Sequence, residues 1–242
     1  METDNKQINP KSHIRTYVLR TGRMTDAQKK AYHTLYCRYG IDDDEAGIVS
    51  SESLFANSKP LIVEIGFGMG QAAIEIAKLR PQCNFLGIEV HTPGVGKLLL
   101  LIEEQKLDNI RVYHGDALPF LGKHTADNSI DGFHIFFPDP WPKKRHHKRR
   151  IINRANLAFF AKKLKAGGYI YFVTDWEEYA LSAKAVFDAE PALENPFMGN
   201  SGWAPKQEWR PVTKFEQRAH TEGRSIRELY YLRRAINPSS GT

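Results

Sequence analysis

Cysteine is scarce. Only Cys37 and Cys83 occur in 242 residues, in no C-x-x-C or metal-ligand spacing. That excludes a disulfide-stapled scaffold and fits a reducing cytoplasm. Long apolar runs are missing too. The longest purely aliphatic stretch, LLLLI at 98–102, falls far short of the roughly 20 residues a bilayer span needs. The opening METDNKQINPKSH is polar and lacks the apolar centre of a signal peptide. Internal repeats and long low-complexity tracts are also absent. The chain reads as a soluble cytoplasmic protein with no membrane contact. Excess charge is absent from most of it as well. Lys and Arg exceed Asp and Glu by 34 to 28, and six cations between Lys143 and Arg150, with no acid among them, account for the whole excess. So local a block marks a docking site for a polyanion rather than a generally adhesive surface.

What is present is an ordinary globular composition, 41% hydrophobic, long enough to bury a real core. Residues 1–58 read as a polar N-terminal extension, partly disordered, holding one helix. Thr25 and Gln28 have capping-box spacing, and DAQKKAYHTLYCRY continues as a helix until Gly40. DDDE at 42–45 reads as a solvated acidic loop, and no metal is expected. Residues 59–236 form the main domain and 237–242 a short tail.

Within that domain apolar runs alternate with helical patterns. LIVEI (61–65), NFLGIEV (84–90), IRVYH (110–114), IDGFHIFF (130–137) and GYIYFVT (168–174) read as strands. Helices are expected over 71–80, closed by Pro81, over about 95–107, and over about 151–165, ended by AGG. This alternation predicts an α/β fold with a doubly wound, Rossmann-like parallel sheet, ligands lying beyond the C-terminal strand ends. The first and fourth strands are apolar on both faces, as central positions require.

After the first strand comes VEIGFGMGQ, in which Gly66, Gly68 and Gly70 make G-x-G-x-G. A dinucleotide fingerprint needs a third glycine where Gln71 stands. Glu64 precedes this loop, Glu89 ends the second strand and Asp116 ends the third. Three acids would repel a diphosphate. They suit a ligand with an adenosine, a cationic centre and no phosphate, and S-adenosylmethionine fits. Glu89 would take ribose hydroxyls, Asp116 or its backbone the adenine, and the amides near Gly70 the carboxylate. The plainer reading, three strand-end acids that cap turns, stays open on these residues alone.

The fourth strand runs into FPDPWP. Pro138, Pro140 and Pro142 fix three φ angles, so Asp139 sits on a loop that is stiff before any substrate arrives. Trp141 can stack on a base or fill the cleft wall.

Together with RTGRMTDAQ, VEIGFGMG, GIEVHTPGVG, HGDA, FPDPWPKKRHHKRRI, GGYIYFVTDWEEYA and RPVTKFEQRAHTEGRSI, these residues make the chain resemble the tRNA (guanine-N7-)-methyltransferases of the bacterial single-subunit type, from about Ile14 to Arg233. One departure is Ala219, where that family more often has glycine. The resemblance implies the class I S-adenosylmethionine-dependent methyltransferase fold over 59–236. It also implies a cofactor site lined by Glu64, Gly66, Gly68, Gly70, Glu89, Asp116 and Asp139, with Asp139 in the catalytic position. Lys143, Asp175, Thr213, Lys214, Phe215 and Glu216 would meet the substrate, and Arg145, His146, His147, Lys148, Arg149 and Arg150 the RNA. The implied target is the guanine at tRNA position 46, in the variable loop. No obligatory protein partner is expected, and the protein would be a monomer or homodimer.

Guanine N7 has an exposed lone pair and no proton to lose, so positioning and electrostatics can carry the transfer without a general base. Asp139 could orient the guanine through its N1–H and amino group or act otherwise. Two rival readings are a methyltransferase acting on an exocyclic amine and a non-catalytic RNA-binding protein on the same fold.

Overall fold

In the computed structural model, residues 14–18 and 22–235 are described. Residues 1–13 of the extension, the tail 237–242 and Arg20 lie outside them. The first helix, α1 (Asp26–Tyr39), starts where the capping box predicts. Thr25 Oγ1 accepts from Gln28 N–H at 3.3 Å, and Gln28 Oε1 accepts from Thr25 N–H at 2.8 Å. α1 runs straight into β1 (Gly40–Ile41), a two-residue edge strand.

Next come α2 (Ser51–Phe55), β2 (Leu61–Ile65), α3 (Gln71–Leu79), β3 (Asn84–Glu89), α4 (Thr92–Gln105), β4 (Ile110–His114), α5 (Ala117–His124) and β5 (Ile130–Phe136). A 3-10 turn at Lys144–Arg149 follows. The chain closes with α6 (Arg154–Lys163), β6 (Leu164–Thr174), α7 (Glu177–Asp188), β7 (Leu193–Glu194), α8 (Lys214–Thr221) and β8 (Arg227–Arg233).

The strands form one sheet in the order β1-β4-β3-β2-β5-β6-β8-β7, parallel from β1 through β6. β2 and β5 lie at its centre, as their two-sided apolar pattern requires. β8 and β7 depart from the parallel expectation, since β8 runs antiparallel to β6 and β7 antiparallel to β8. AGG also departs from its expected role. α6 ends at Lys163, and Ala166 to Gly168 lie inside β6, where Gly167 has φ 76° and the register against β5 shifts. The glycines there form a bulge rather than a helix stop.

Period-two alternation splits the core between the two sheet faces. Val63, Leu86, Phe133, Ile135 and Phe172 pack one face against Phe120, Leu157, Phe160 and Phe187. Ile62, Phe85, Val112, Tyr171 and Val173 pack the other against Ala31, Ile74, Leu98 and Ile102. α1 lies on α4 and needs Gly96 there, because a Cβ at that position would stand 2.7 Å from the Gln28 carbonyl oxygen. Ala219 is fully buried within α8, where alanine favours helix more than glycine does. Among the described residues no helix is long and apolar enough to cross a membrane.

Candidate active site at the strand ends

The C-terminal ends of β2, β3, β4 and β5 bring Glu64, Glu89, Asp116 and Asp139 to one edge of the sheet. The glycine loop lies beside them. Gly66, Gly68 and Gly70 have φ of 78°, 59° and 77°, a region L-residues rarely adopt, so the turn from β2 into α3 needs glycine. A Cβ on Gly66 or Gly68 would meet nothing within 4 Å. The loop therefore opens onto free space as a cradle for a ligand. Gly70 caps α3 with no side-chain acceptor on its first amides, which leaves that helix end suited to an anionic group.

Glu89 builds this cradle. One carboxylate oxygen accepts from Gly68 N–H at 2.8 Å, and the other from Val90 and His91 N–H at 2.7 and 2.9 Å. Three of its roughly four acceptor positions are thus committed to backbone, and one remains for a hydroxyl. Glu64 is buried beside it. Burial first, and then the Glu89 charge, push the Glu64 carboxyl up to about 8. Asp116 caps α5 through Leu118 N–H at 3.3 Å and takes a hydrogen bond from the Tyr17 hydroxyl.

Asp139 is half-buried between Pro138 and Pro140. The flanking Phe137 and Trp141 have φ of 50° and 46°, so the loop is bent through two left-handed residues and carries strain that its surroundings must hold. Phe137 N–H still bonds the Val173 carbonyl at 2.8 Å. Residues 14–18 cross over the loop. Val18 N–H donates to Asp139 Oδ2 at 3.2 Å, and Trp141 Nε1 donates to the Thr16 carbonyl at 3.1 Å. Between this segment and the basic turn lies a cavity of about 650 Å³ lined by Arg15, Tyr17, Trp141, Lys148 and Arg149 among others.

Lys143, Arg145, Lys148 and Arg149 are exposed, and His146 and His147 half-buried. Arg149 lies over the Trp141 ring at 4.9 Å, with His146 edge-on to the same ring. Desolvation and then the neighbouring cations hold His146 below the usual imidazole range. Arg150 differs from the rest of the block. It is 2% exposed, and its guanidinium is spent on the Pro140 carbonyl and on Glu178.

The expected substrate residues divide in the same way. Phe215 is 61% exposed and lies nearly parallel to Phe137, 6.1 Å away, at the mouth of the Asp139 loop. Lys214 is exposed beside it. Thr213 caps α8 through Glu216 N–H at 3.1 Å. Glu216 is buried on Arg210 and Lys206 at 2.6 and 3.0 Å, so its carboxylate braces α8. Asp175, just beyond β6, pairs with Arg224 at 2.5 Å. Among the described residues no three His, Cys, Asp or Glu converge as a metal site.

Sequence reasoning did not find Tyr17, Val18, Glu178 or Arg210. Glu178 lies in DWEEYA and Arg210 in RPVTKFE, both already singled out as motifs, but no local signal names their partners.

This sheet order with a glycine cradle at its edge is a methyltransferase fold. Solved structures of the antibiotic-resistance methyltransferase Kmr and of the 16S rRNA methyltransferase KamB superpose with TM-scores of 0.51 each. They share 12% and 13% identity, cover 77% and 76% of this chain, and are each themselves 92% covered. The Methyltransf_4 family model, described as "Putative methyltransferase", matches residues 58–229. The tRNA (guanine-N(7)-)-methyltransferase of Neisseria meningitidis serogroup A is 46% identical over 230 residues, 95% of each chain. Those of Methylobacillus flagellatus and Acidovorax sp. are 44% and 48% identical, covering 96% and 91% of this chain and 97% and 86% of their own. The chain belongs to the tRNA (guanine-N(7)-)-methyltransferase family.

Proposed function

We propose that the protein transfers a methyl group from S-adenosylmethionine to N7 of the guanine at position 46 of tRNA, in the cytoplasm. The observation that carries this reading is one juxtaposition. A glycine cradle ringed by carboxylates adjoins a rigid aspartate loop, and that loop continues directly into an exposed cationic turn.

The residues fit the cofactor. Gly66 and Gly68 face open space, and the first amides of α3, which carry no side-chain cap, suit its carboxylate. The last acceptor position on Glu89 suits a ribose hydroxyl, Asp116 suits the adenine, and Glu64 lines the same cleft. When bound, S-adenosylmethionine supplies an electrophilic methyl on a sulfonium. The chain's own work is placement. Asp139 accepts from guanine N1–H and the amino group, which aims N7 inward and offsets the positive charge that grows on the base. Phe215 and Phe137 offer ring faces to the base at the mouth. Lys143, Arg145, Lys148 and Arg149, with His146 and His147 as further donors, hold RNA phosphates.

The test is incubation with labelled S-adenosylmethionine and bulk tRNA, followed by chemical mapping of the modified base. N7-methylguanine at position 46 is expected. Label on an exocyclic amine, or no transfer from bound cofactor, would overturn the reading.

A further inference from the structure

Arg150 stands in the cationic run but does not share its surface. Its side chain is 2% exposed, whereas Lys148 and Arg149 on the same turn are open to solvent. All three arms of its guanidinium are engaged. Nε donates to the Pro140 carbonyl at 2.9 Å, one terminal nitrogen to Glu178 Oε1 at 3.1 Å, and the other to Glu178 Oε2. The flat face lies over the Tyr179 ring at 4.7 Å. A phosphate could reach this group only by dismantling that arrangement, and a buried cation stripped of its carboxylate is costly.

The acceptor matters as much as the donor. Pro140 directly follows Asp139 and precedes the left-handed Trp141. Pro138 and Pro140 have no N–H, so two backbone positions of the loop, one on each side of Asp139, cannot donate. Arg150 adds a hold from outside, through the Pro140 carbonyl. Glu178 and Tyr179, in the first turn of α7, anchor both ends of the return. Glu178 takes Arg150, and the Tyr179 hydroxyl accepts from Ile152 N–H at 3.2 Å. α7 begins just beyond Asp175, so the same clamp ties the Asp139 loop to the strand end that carries the next candidate substrate residue.

We infer that Arg150 and Glu178 are positioning residues for Asp139, setting the transfer rate through the Pro140 carbonyl while taking no part in RNA binding. The inference rests on the transfer reaction proposed above. Lysine cannot substitute, because a point-like ammonium cannot donate to Pro140 and grip Glu178 with a fork at once.

The test compares Arg150→Lys and Glu178→Gln with Arg149→Ala, which removes an exposed cation from the same turn. Three quantities are measured: the single-turnover methyl-transfer rate at saturating tRNA and cofactor, the tRNA Kd with its salt slope, and the melting temperature. Displacing a loop that aims the substrate should lower the saturating rate of the first two by about tenfold to a hundredfold, with tRNA Kd and salt slope unchanged. Glu178→Gln keeps one acceptor oxygen and should lose less than Glu178→Ala. Arg149→Ala should instead show its effect in binding, weakening tRNA affinity and flattening the slope by about one unit. Glu178 is half exposed in its side chain, so its variants decide the matter if Arg150→Lys fails to fold. Loss in tRNA affinity rather than rate for Arg150→Lys or Glu178→Gln would overturn the assignment, and so would no change in either. A wild-type protein that fails to methylate tRNA would instead sink the underlying reaction, so the two failures are distinct.

Discussion

The two halves of the strand-end cleft hold their carboxylates by different means. On the β2-β3-β4 side the holders are backbone amides: Glu89 takes Gly68, Val90 and His91, and Asp116 takes Leu118. On the β5-β6-β8 side, Asp139 apart, which takes Val18 N–H, the holders are guanidiniums. Arg150 grips Glu178, Arg224 grips Asp175, and Arg210 joins Glu216 to Glu228. A backbone amide is present whatever side chain its residue carries, so that hold survives most substitutions. Guanidiniums fix a carboxylate side chain to side chain and bring charge into the interior, where each partner depends on the other. The first half is therefore a robust cradle. The second is a set of braces that a single substitution can release.

The sharpest way to break that contrast is Arg210. It is 1% exposed and donates to Glu216 at 2.6 Å, to Glu228 at 2.7 Å and to the Tyr171 hydroxyl at 3.1 Å. Arg210→Met takes the shared cation from two buried carboxylates, leaving Glu216 with Lys206 and Glu228 with the Tyr171 hydroxyl, and should cost about 3–5 kcal/mol of stability in urea unfolding. Adding Glu216→Gln and Glu228→Gln should recover part of the loss, because the stranded charge is then gone. Glu89→Gln, whose amide oxygen still accepts from backbone, should cost only about 1–3 kcal/mol. Equal losses at Arg210 and Glu89 would erase the distinction between the halves.

Asp139 sits where the halves meet, and its test is kinetic. Asp139→Asn keeps the shape but removes the charge that, in the proposed reaction, faces the developing cation on the base. Turnover should fall about a hundredfold or more, with the fold intact by melting temperature. Near-normal turnover would remove Asp139 from the mechanism.

The amide-held half was the legible one. LIVEI and IRVYH occupy β2 and β4 at the expected bounds, and α1 begins at its capping box. Glycine turns and strand-end acids are local signals, so the cradle could be read directly. The antiparallel pair β8 and β7 was missed because Arg227–Arg233 acquires strand geometry only by pairing with β6 far upstream in the chain. α5 was missed because Pro119 and Gly122 sit inside it, and both read as breakers when taken alone. Residue by residue a cationic run looks uniform, which groups Arg150 with the exposed cations beside it. Glu178, 28 positions on, and the Pro140 carbonyl set it apart. Thr213 and Glu216 were legible as a motif, yet their side chains cap and brace α8.

A smaller effect tests the amide-held half through pH. The Glu64 carboxyl is pushed from 4.5 in the unfolded chain up to about 8 by burial and then by Glu89. Between those values the folded protein keeps a proton that the unfolded chain has released. Stability from this site is therefore full below pH 4.5 and declines as pH rises toward 8. Glu64→Gln cannot ionise, so its melting temperature should fall less between pH 5 and pH 8 than that of the parent. Parallel pH profiles would mean that Glu64 is ionised in the folded protein and that its burial is relieved by some other charge.

The smallest folding effect belongs to the exposed cations, which neither half holds. Arg145, Lys148 and Arg149 lie on the surface of the 3-10 turn, with Arg149 resting on Trp141. Exposed charges contribute about 0–1 kcal/mol each to folding, so their alanine variants should melt close to the parent. Their consequence should appear only when RNA is present. Each phosphate contact removed should flatten the dependence of log Kobs on log salt by about 0.7–0.9 unit. Apparent KM for tRNA should rise while cofactor affinity stays put, because phosphate contacts set affinity and register without touching the cradle. The triple variant decides between two docking surfaces. If it binds tRNA with an unchanged slope, the RNA must be held elsewhere, and Arg15, across the cavity from Lys148 and Arg149, becomes the first residue to change. If the slope falls by about two to three units, the turn is the docking surface. Arg150, buried beneath it, would then be the point where the RNA-facing turn meets the loop that aims the base.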